Sequence, residues 1–135
     1  MLSVDTNVLV RLLIADHPEQ LAAAQAIFAA RSIWIGRTVM LETEWVLRSN
    51  YGMDRDSRVA VLQGVLGLAN TEVEDRSSVQ EALNLVLQGL DFADALHLCC
   101  RAADTTFLSF DRALVRRAQR AGIASVQDAS SWLPR

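Results

Sequence analysis

Lysine is missing from this chain: all 13 basic residues are arginine. That absence excludes a phosphate loop of the Walker type, Schiff-base chemistry and a lysine general base. Cysteine is scarce as well. Cys99 and Cys100 are the only two, and as sequence neighbours they supply neither a disulfide framework nor a spaced zinc site. No Pro/Gly-rich linker, internal repeat or low-complexity tract interrupts the chain, so its 135 residues read as one domain over 1–135. Hydrophobic residues make up 51% of it, yet no run approaches the roughly 20 apolar residues that cross a bilayer. The first residues lack the basic, apolar and small-residue series of a secretory signal, so a soluble, cytoplasmic protein with no membrane partner is expected. The net charge of −3 gives no diffuse attraction to nucleic acid, but it leaves open a site that reaches phosphate through a metal.

What the chain does have is carboxylates at places where elements change. Leu2-Ser3-Val4-Asp5-Thr6-Asn7 is a short apolar run that stops on an acid, and the apolar residues from Val8 to Ile14 then start a helix. Asp5 therefore sits in a strand-to-helix turn, where ligands of parallel α/β sheets bind; a plain helix cap accounts for it equally well. Thr105 to Asp111 repeats the design, an apolar strand ending on hydroxyl and acid, before a helix from Arg112 to Arg120 closed by Gly122.

Between these stretches, strands and helices alternate. A helix starts at His17-Pro18-Glu19 and runs to about Arg31, a strand covers Ser32–Gly36, and Thr38 caps a helix from Val39 to about Tyr51. In that helix the spacing puts Glu42 inside the apolar arc and Glu44 outside it, paired with Arg48 at i+4. An unpaired buried acid must be neutralised, bonded or bound to a cation, which makes Glu42 a second candidate. Asp54 to Ser57 opens a helix reaching Asn70, residues 71–75 form a weak, half-exposed edge strand, and Ser77 or Ser78 caps a helix ended by Gly89. Asp91 then caps another helix with Asp94 in its first turn, where the dipole favours negative charge. His97, one turn on, reads as a satisfied residue of an apolar helix, and residues 123–126 make a last strand before a terminal turn from Asp128 to Leu133. This order predicts an α/β fold of three layers, α/β/α, with a mostly parallel central sheet.

A doubly wound sheet can bring Asp5, Glu42, Asp94 and Asp111 to one edge. Four such acids without a lysine repel one another, and their clustering makes sense around Mg²⁺ or Mn²⁺, which takes oxygen ligands and can activate water towards phosphorus. The segments VDTNVLV at 4–10, LETEWVLRSNYG at 41–52, DFADALHL at 91–98 and LSFD at 108–111 closely resemble the PIN domain, and specifically the VapC-type toxins of bacterial toxin–antitoxin pairs. The resemblance implies an Mg²⁺- or Mn²⁺-dependent endoribonuclease with a PIN-like fold, dimeric with itself and restrained by a cognate antitoxin. It maps the catalytic metal ligands to Asp5, Glu42, Asp94 and Asp111, and makes Thr6, Asn7, Ser109 and Asp91 groups that orient them. Arg112, Arg116 and Arg120 stack at i, i+4 and i+8 and are candidates for contact with RNA phosphates or acidic groups of the antitoxin, or form a solvated stripe. Two other readings use the same acids: a PIN-like scaffold that binds without cutting, and a receiver-type phospho-aspartate module. The second needs a lysine that this chain lacks.

Overall fold

The computed structural model describes residues 1–134. Strands β1 (Leu2–Ser3), β2 (Ile33–Ile35), β3 (Thr71–Val73), β4 (Phe107–Ser109) and β5 (Val126–Asp128) alternate with helices α1 (Thr6–Leu13), α2 (Pro18–Ala30), α3 (Arg37–Ser49), α4 (Arg55–Leu66), α5 (Arg76–Leu87), α6 (Phe92–Cys99) and α7 (Arg112–Arg120). A short 3-10 turn, Ala129–Ser131, follows β5. Every strand pair is parallel, because each pair is joined through helices long enough to return the chain to the same end of the sheet. The hydrogen-bonded ladders form two sets, β1-β2-β3 and β4-β5. The expected α/β class and parallel pairing hold, with the ladder divided between these sets.

Strand β2 shows why the chain folds inward here. Ile33 and Ile35 are fully buried while Trp34 between them is not, the period of two that a pleated strand imposes. They join Leu9, Met40, Leu47, Leu62, Val65, Leu83 and Phe92 in a continuous core drawn from α1, α3, α4, α5 and α6. Gly89, with φ of +102°, lets the chain leave α5 in a conformation that side chains disfavour, and Asp91 opens α6 two residues later.

Helix α3 is rotated relative to its expected facing. Its buried residues are Met40, Thr43, Glu44 and Leu47, an i, i+3, i+4, i+7 stripe, whereas Glu42 is exposed. The assignment of Glu42 to the inner arc and Glu44 to the outer face is thus reversed. Glu44 is only 4% exposed. It pairs with Arg48 at i+4 as expected, at 3.2 Å, but also with Arg58 of α4, at 3.2 Å. Helical spacing alone treats a charge as an outward residue. A cation delivered from a different helix overrides that, since it supplies the compensation a buried carboxylate requires.

Other boundaries moved for similar reasons. Helix α3 begins at Arg37 after Gly36, with no cap from Thr38, because the Arg37 N–H donates to the Glu74 carboxylate at 3.0 Å. The Arg37 guanidinium also meets Glu74 at 3.5 Å and Asp75 at 3.0 Å. Asp75 in turn takes the position before α5, left-handed at φ 49° and without a side-chain cap, displacing Ser77 and Ser78 from that role. The last strand lies at Val126–Asp128 and not at 123–126. Arg101 binds the carbonyls of Ala124 and Ser125, at 2.7 and 3.0 Å, and Ser125 turns the backbone to φ 58°, so regular pairing starts only after it.

The Glu44 ion cluster gives a stability prediction. Glu44→Gln leaves the largely buried Arg58 without its countercharge and should cost roughly 3 kcal/mol, as breaking a buried pair does. Glu42→Gln, on the exposed side, should stay within about 0.5 kcal/mol in metal-free buffer. Urea unfolding of both variants checks the pair; equal stability would mean that Glu44 is not held by the two arginines.

Candidate active site

Four of the acids sit at or next to helix N-termini, where free N–H groups and the dipole favour negative charge. Asp5 ends the extended segment after β1, and its Oδ1 accepts from the Val8 N–H at 3.1 Å, capping α1. Asp111 does the same after β4, accepting from the Leu114 N–H at 3.0 Å to cap α7. Asp91 caps α6 through Oδ2, which accepts from Ala93 and Asp94 N–H at 3.1 and 3.4 Å. Asp94 follows in the first turn of α6. Capping uses one carboxylate oxygen of Asp5 and of Asp111, so the second oxygen of each remains available to a ligand.

Asp94 is where the charges meet. Partial burial first, then the charges of Asp91 and Asp111, hold its carboxyl above the usual range, while His97 and Arg117 act in the opposite direction. Asp91 and Asp111 thus both lie within electrostatic reach of Asp94, although α6 and α7 are separated in sequence. Asp91 also approaches Arg48 at 4.0 Å, and Arg48 is the partner of Glu44. An ion-pair relay therefore runs from the buried Glu44 to the residue beside Asp94.

The other candidates are distributed around this group. Asp5 and Asn7 line a cleft with Arg11 and Gln20, between α1 and α2. Glu42 lines a groove with Asp91, Trp45 and Arg48. Among the described residues no three Asp, Glu, His or Cys side chains are grouped closely enough to hold an ion. Of the groups expected to orient the carboxylates, Ser109 has the geometry for it: its Oγ accepts the Asp111 N–H at 3.0 Å. Thr6 is buried at the start of α1, and Asn7 is exposed beside it.

Two residues of this end of the molecule escaped the sequence reading. Asp128 lies opposite Ser109 in the β4-β5 register, two positions before Asp111, and Arg112 neutralises it at 3.3 Å. Hydrogen bonds from Ser130 hold the Asp128 carboxyl below its usual range, with the Arg112 charge adding to them. Arg112 of the expected stripe thus has an acidic partner in the chain, while its side chain stays 74% exposed. Arg117, outside that stripe, is the α7 arginine whose charge reaches Asp94. The i, i+4, i+8 rule cannot single it out, because the position of Asp94 comes from another helix.

The donor chemistry fits a hard divalent cation: every candidate ligand is a carboxylate oxygen, and Asp94 carries excess negative potential from two neighbours. The charge of Asp111 reaches Asp94, while Asp5 and Glu42 line clefts of their own. No curated protein matches the chain. The PIN domain family model matches residues 2–120, a span that contains Asp5, Glu42, Asp91, Asp94 and Asp111. The chain belongs to the PIN domain family, whose members are typically nucleases.

Proposed function

We propose that this protein is a metal-dependent endoribonuclease and the toxin of a VapBC-type pair, dimeric and held inactive by a cognate antitoxin. The observation that carries the catalytic reading is the placing of Asp91 and Asp94 at the start of α6 and of Asp111 at the start of α7 within a PIN domain, with the charges of Asp91 and Asp111 acting on Asp94. The toxin reading is supported by the run of motifs across the chain, and its antitoxin and dimer remain parts of the proposal.

Asp94 and Asp111, completed by Asp5 and Glu42, would hold Mg²⁺ or Mn²⁺, which supplies an activated water and neutralises the leaving oxyanion when bound. The protein's own contribution is positional. Backbone N–H bonds at the starts of α1 and α7 fix one oxygen each of Asp5 and Asp111, and Ser109 fixes the turn that delivers Asp111. Asp91, tied to Arg48, fixes the first turn of α6 and with it Asp94. Arg117, whose charge reaches Asp94, would bind a phosphate oxygen of RNA through paired N–H donors. A binding module without catalysis is the second reading; it is favoured by the separation of Asp5 and Glu42 onto their own clefts. Cleavage of RNA decides between them.

Purified, antitoxin-free protein incubated with cellular RNA should cut in Mn²⁺ and not in chelator, with cut ends mapped by sequencing. Asp5→Asn, Asp94→Asn and Asp111→Asn should each lower the rate by more than roughly a hundredfold, beyond the 10–100-fold typical for groups that only orient a ligand; Ser109→Ala should fall inside that interval. Full activity in the three acid variants would sink the assignment.

The raised pKa of Asp94 has a signed consequence for stability. Its folded form binds a proton more tightly than the unfolded chain, so in chelator this group adds stability at low pH and the addition is lost as pH rises through the raised value. Asp94→Asn should flatten that dependence and melt at or above wild type at neutral pH. It should also lose most of the metal-induced rise in Tm, which for wild type corresponds to about 2.7 kcal/mol at a hundredfold excess over Kd. A helix cap alone predicts the reverse, a variant destabilised by about 0.3–1 kcal/mol with its metal response intact. Scanning fluorimetry across pH, with and without Mn²⁺, separates the two.

Arginine roles are tested through salt. Arg117→Ala should weaken RNA binding and reduce the slope of log K against log salt by about one, whereas Arg112→Ala, already paired with Asp128, should leave the slope unchanged. Arg116→Ala tells whether the outer stripe adds a further phosphate contact. Filter binding over a salt series provides the slopes, and an unchanged slope in Arg117→Ala would remove that residue from the interface.

A further inference from the structure

Trp45 is a large aromatic side chain left in the open. It is 53% exposed on α3, on the rim of a groove shared with Thr38, Leu41, Glu42, Arg48 and Asp91. The groove reaches the start of α6, because Asp91, one of its lining residues, caps that helix and Asp94 lies in the helix's first turn. Its lining is mixed. An indole face and Leu41 offer apolar contact, the guanidinium of Arg48 is fixed by Glu44 and Asp91, and two carboxylates offer acceptors. Acidic walls repel a phosphate backbone, so the part of a nucleotide chain that fits between them is a base, with its flat face on the indole and its polar edge towards the carboxylates.

We infer that Trp45 is the platform on which an unpaired base of the RNA stacks, next to the phosphate handled at Asp94 and Asp111. The inference rests on the endoribonuclease reading above and names the side chain that meets the base, which must be unpaired there, since a base held in a duplex cannot offer its face. Trp45 is a positioning residue in this scheme. It touches the substrate away from the scissile bond, and Arg48 joins its groove to the buried Glu44.

The test uses the full-length protein and a fluorescein-labelled oligoadenylate, either alone or annealed to oligouridylate, with binding read by anisotropy in Ca²⁺ and cleavage in Mn²⁺. Trp45→Ala should weaken binding of the unpaired strand by roughly fivefold or more, the lower end for losing one base–aromatic stack. It should raise KM with little change in kcat, and Trp45→Phe should restore most of the affinity. Melting temperature and oligomeric state should match wild type. The inference is overturned if the Ala variant binds and cuts the unpaired strand as wild type does, if paired and unpaired RNA lose affinity equally, or if only the oligomeric state changes, which would make the face a protein contact. Cleavage by wild type with an unaltered KM in Trp45→Ala would defeat this inference and leave the nuclease standing. Binding that depends on Trp45 without any cleavage would uphold the groove and defeat the nuclease.

Discussion

A carboxylate held by backbone N–H groups at the start of a helix is the arrangement on which the site depends. Asp5, Asp91 and Asp111 are each bonded in this way to α1, α6 and α7. The bond satisfies amides that would otherwise lack partners and places a negative charge at the positive end of the helix dipole. It also removes the side chain's freedom to swing away. Capping and ligation are therefore compatible uses of one residue, with one oxygen bound to the helix and the other directed elsewhere. Asp94 profits indirectly: it lies one turn inside a helix whose start Asp91 secures.

The cations that balance these acids are all arginines, and their placement is structural before it is functional. Arg48 and Arg58 meet on Glu44, Arg37 joins the end of β3 to the start of α3, and Arg112 neutralises Asp128. A guanidinium is always charged, weakly hydrated and able to bond along two edges, so it can be buried or shared where an ammonium could not. With these four each paired to an acid of the chain, Arg117 stands out as the arginine of α7 whose charge is felt at Asp94.

Such links also explain how the chain can hold polar residues near its core. Glu44 tolerates burial because two guanidiniums from different helices compensate it, and the relay through Arg48 to Asp91 makes the packing of α3 and α4 relevant to the site. Trp45, on the same helix as Glu44 but one position further round, is turned outward by the very rotation that buries Glu44.

Sequence by itself determined the features that depend on near neighbours. The strand-to-helix turns at Asp5 and Asp111, the helix starts at His17-Pro18 and Asp54, the cap at Asp91, the parallel α/β class and the absence of lysine chemistry were all legible, because each rests on residues within one turn or one strand. Tertiary structure decided whatever required a partner from afar. The facing of α3 turned on Arg58, the start of α3 on Glu74, the left-handed entry to α5 on Arg37, and the onset of β5 on Arg101. The reach of the Asp111 and Arg117 charges to Asp94 and the pairing of Arg112 with Asp128 belong to the same class. Local hydrogen bonds act over a few residues and leave a mark in spacing, whereas a buried ion pair is made by two segments that carry no signal of one another until the fold brings them together.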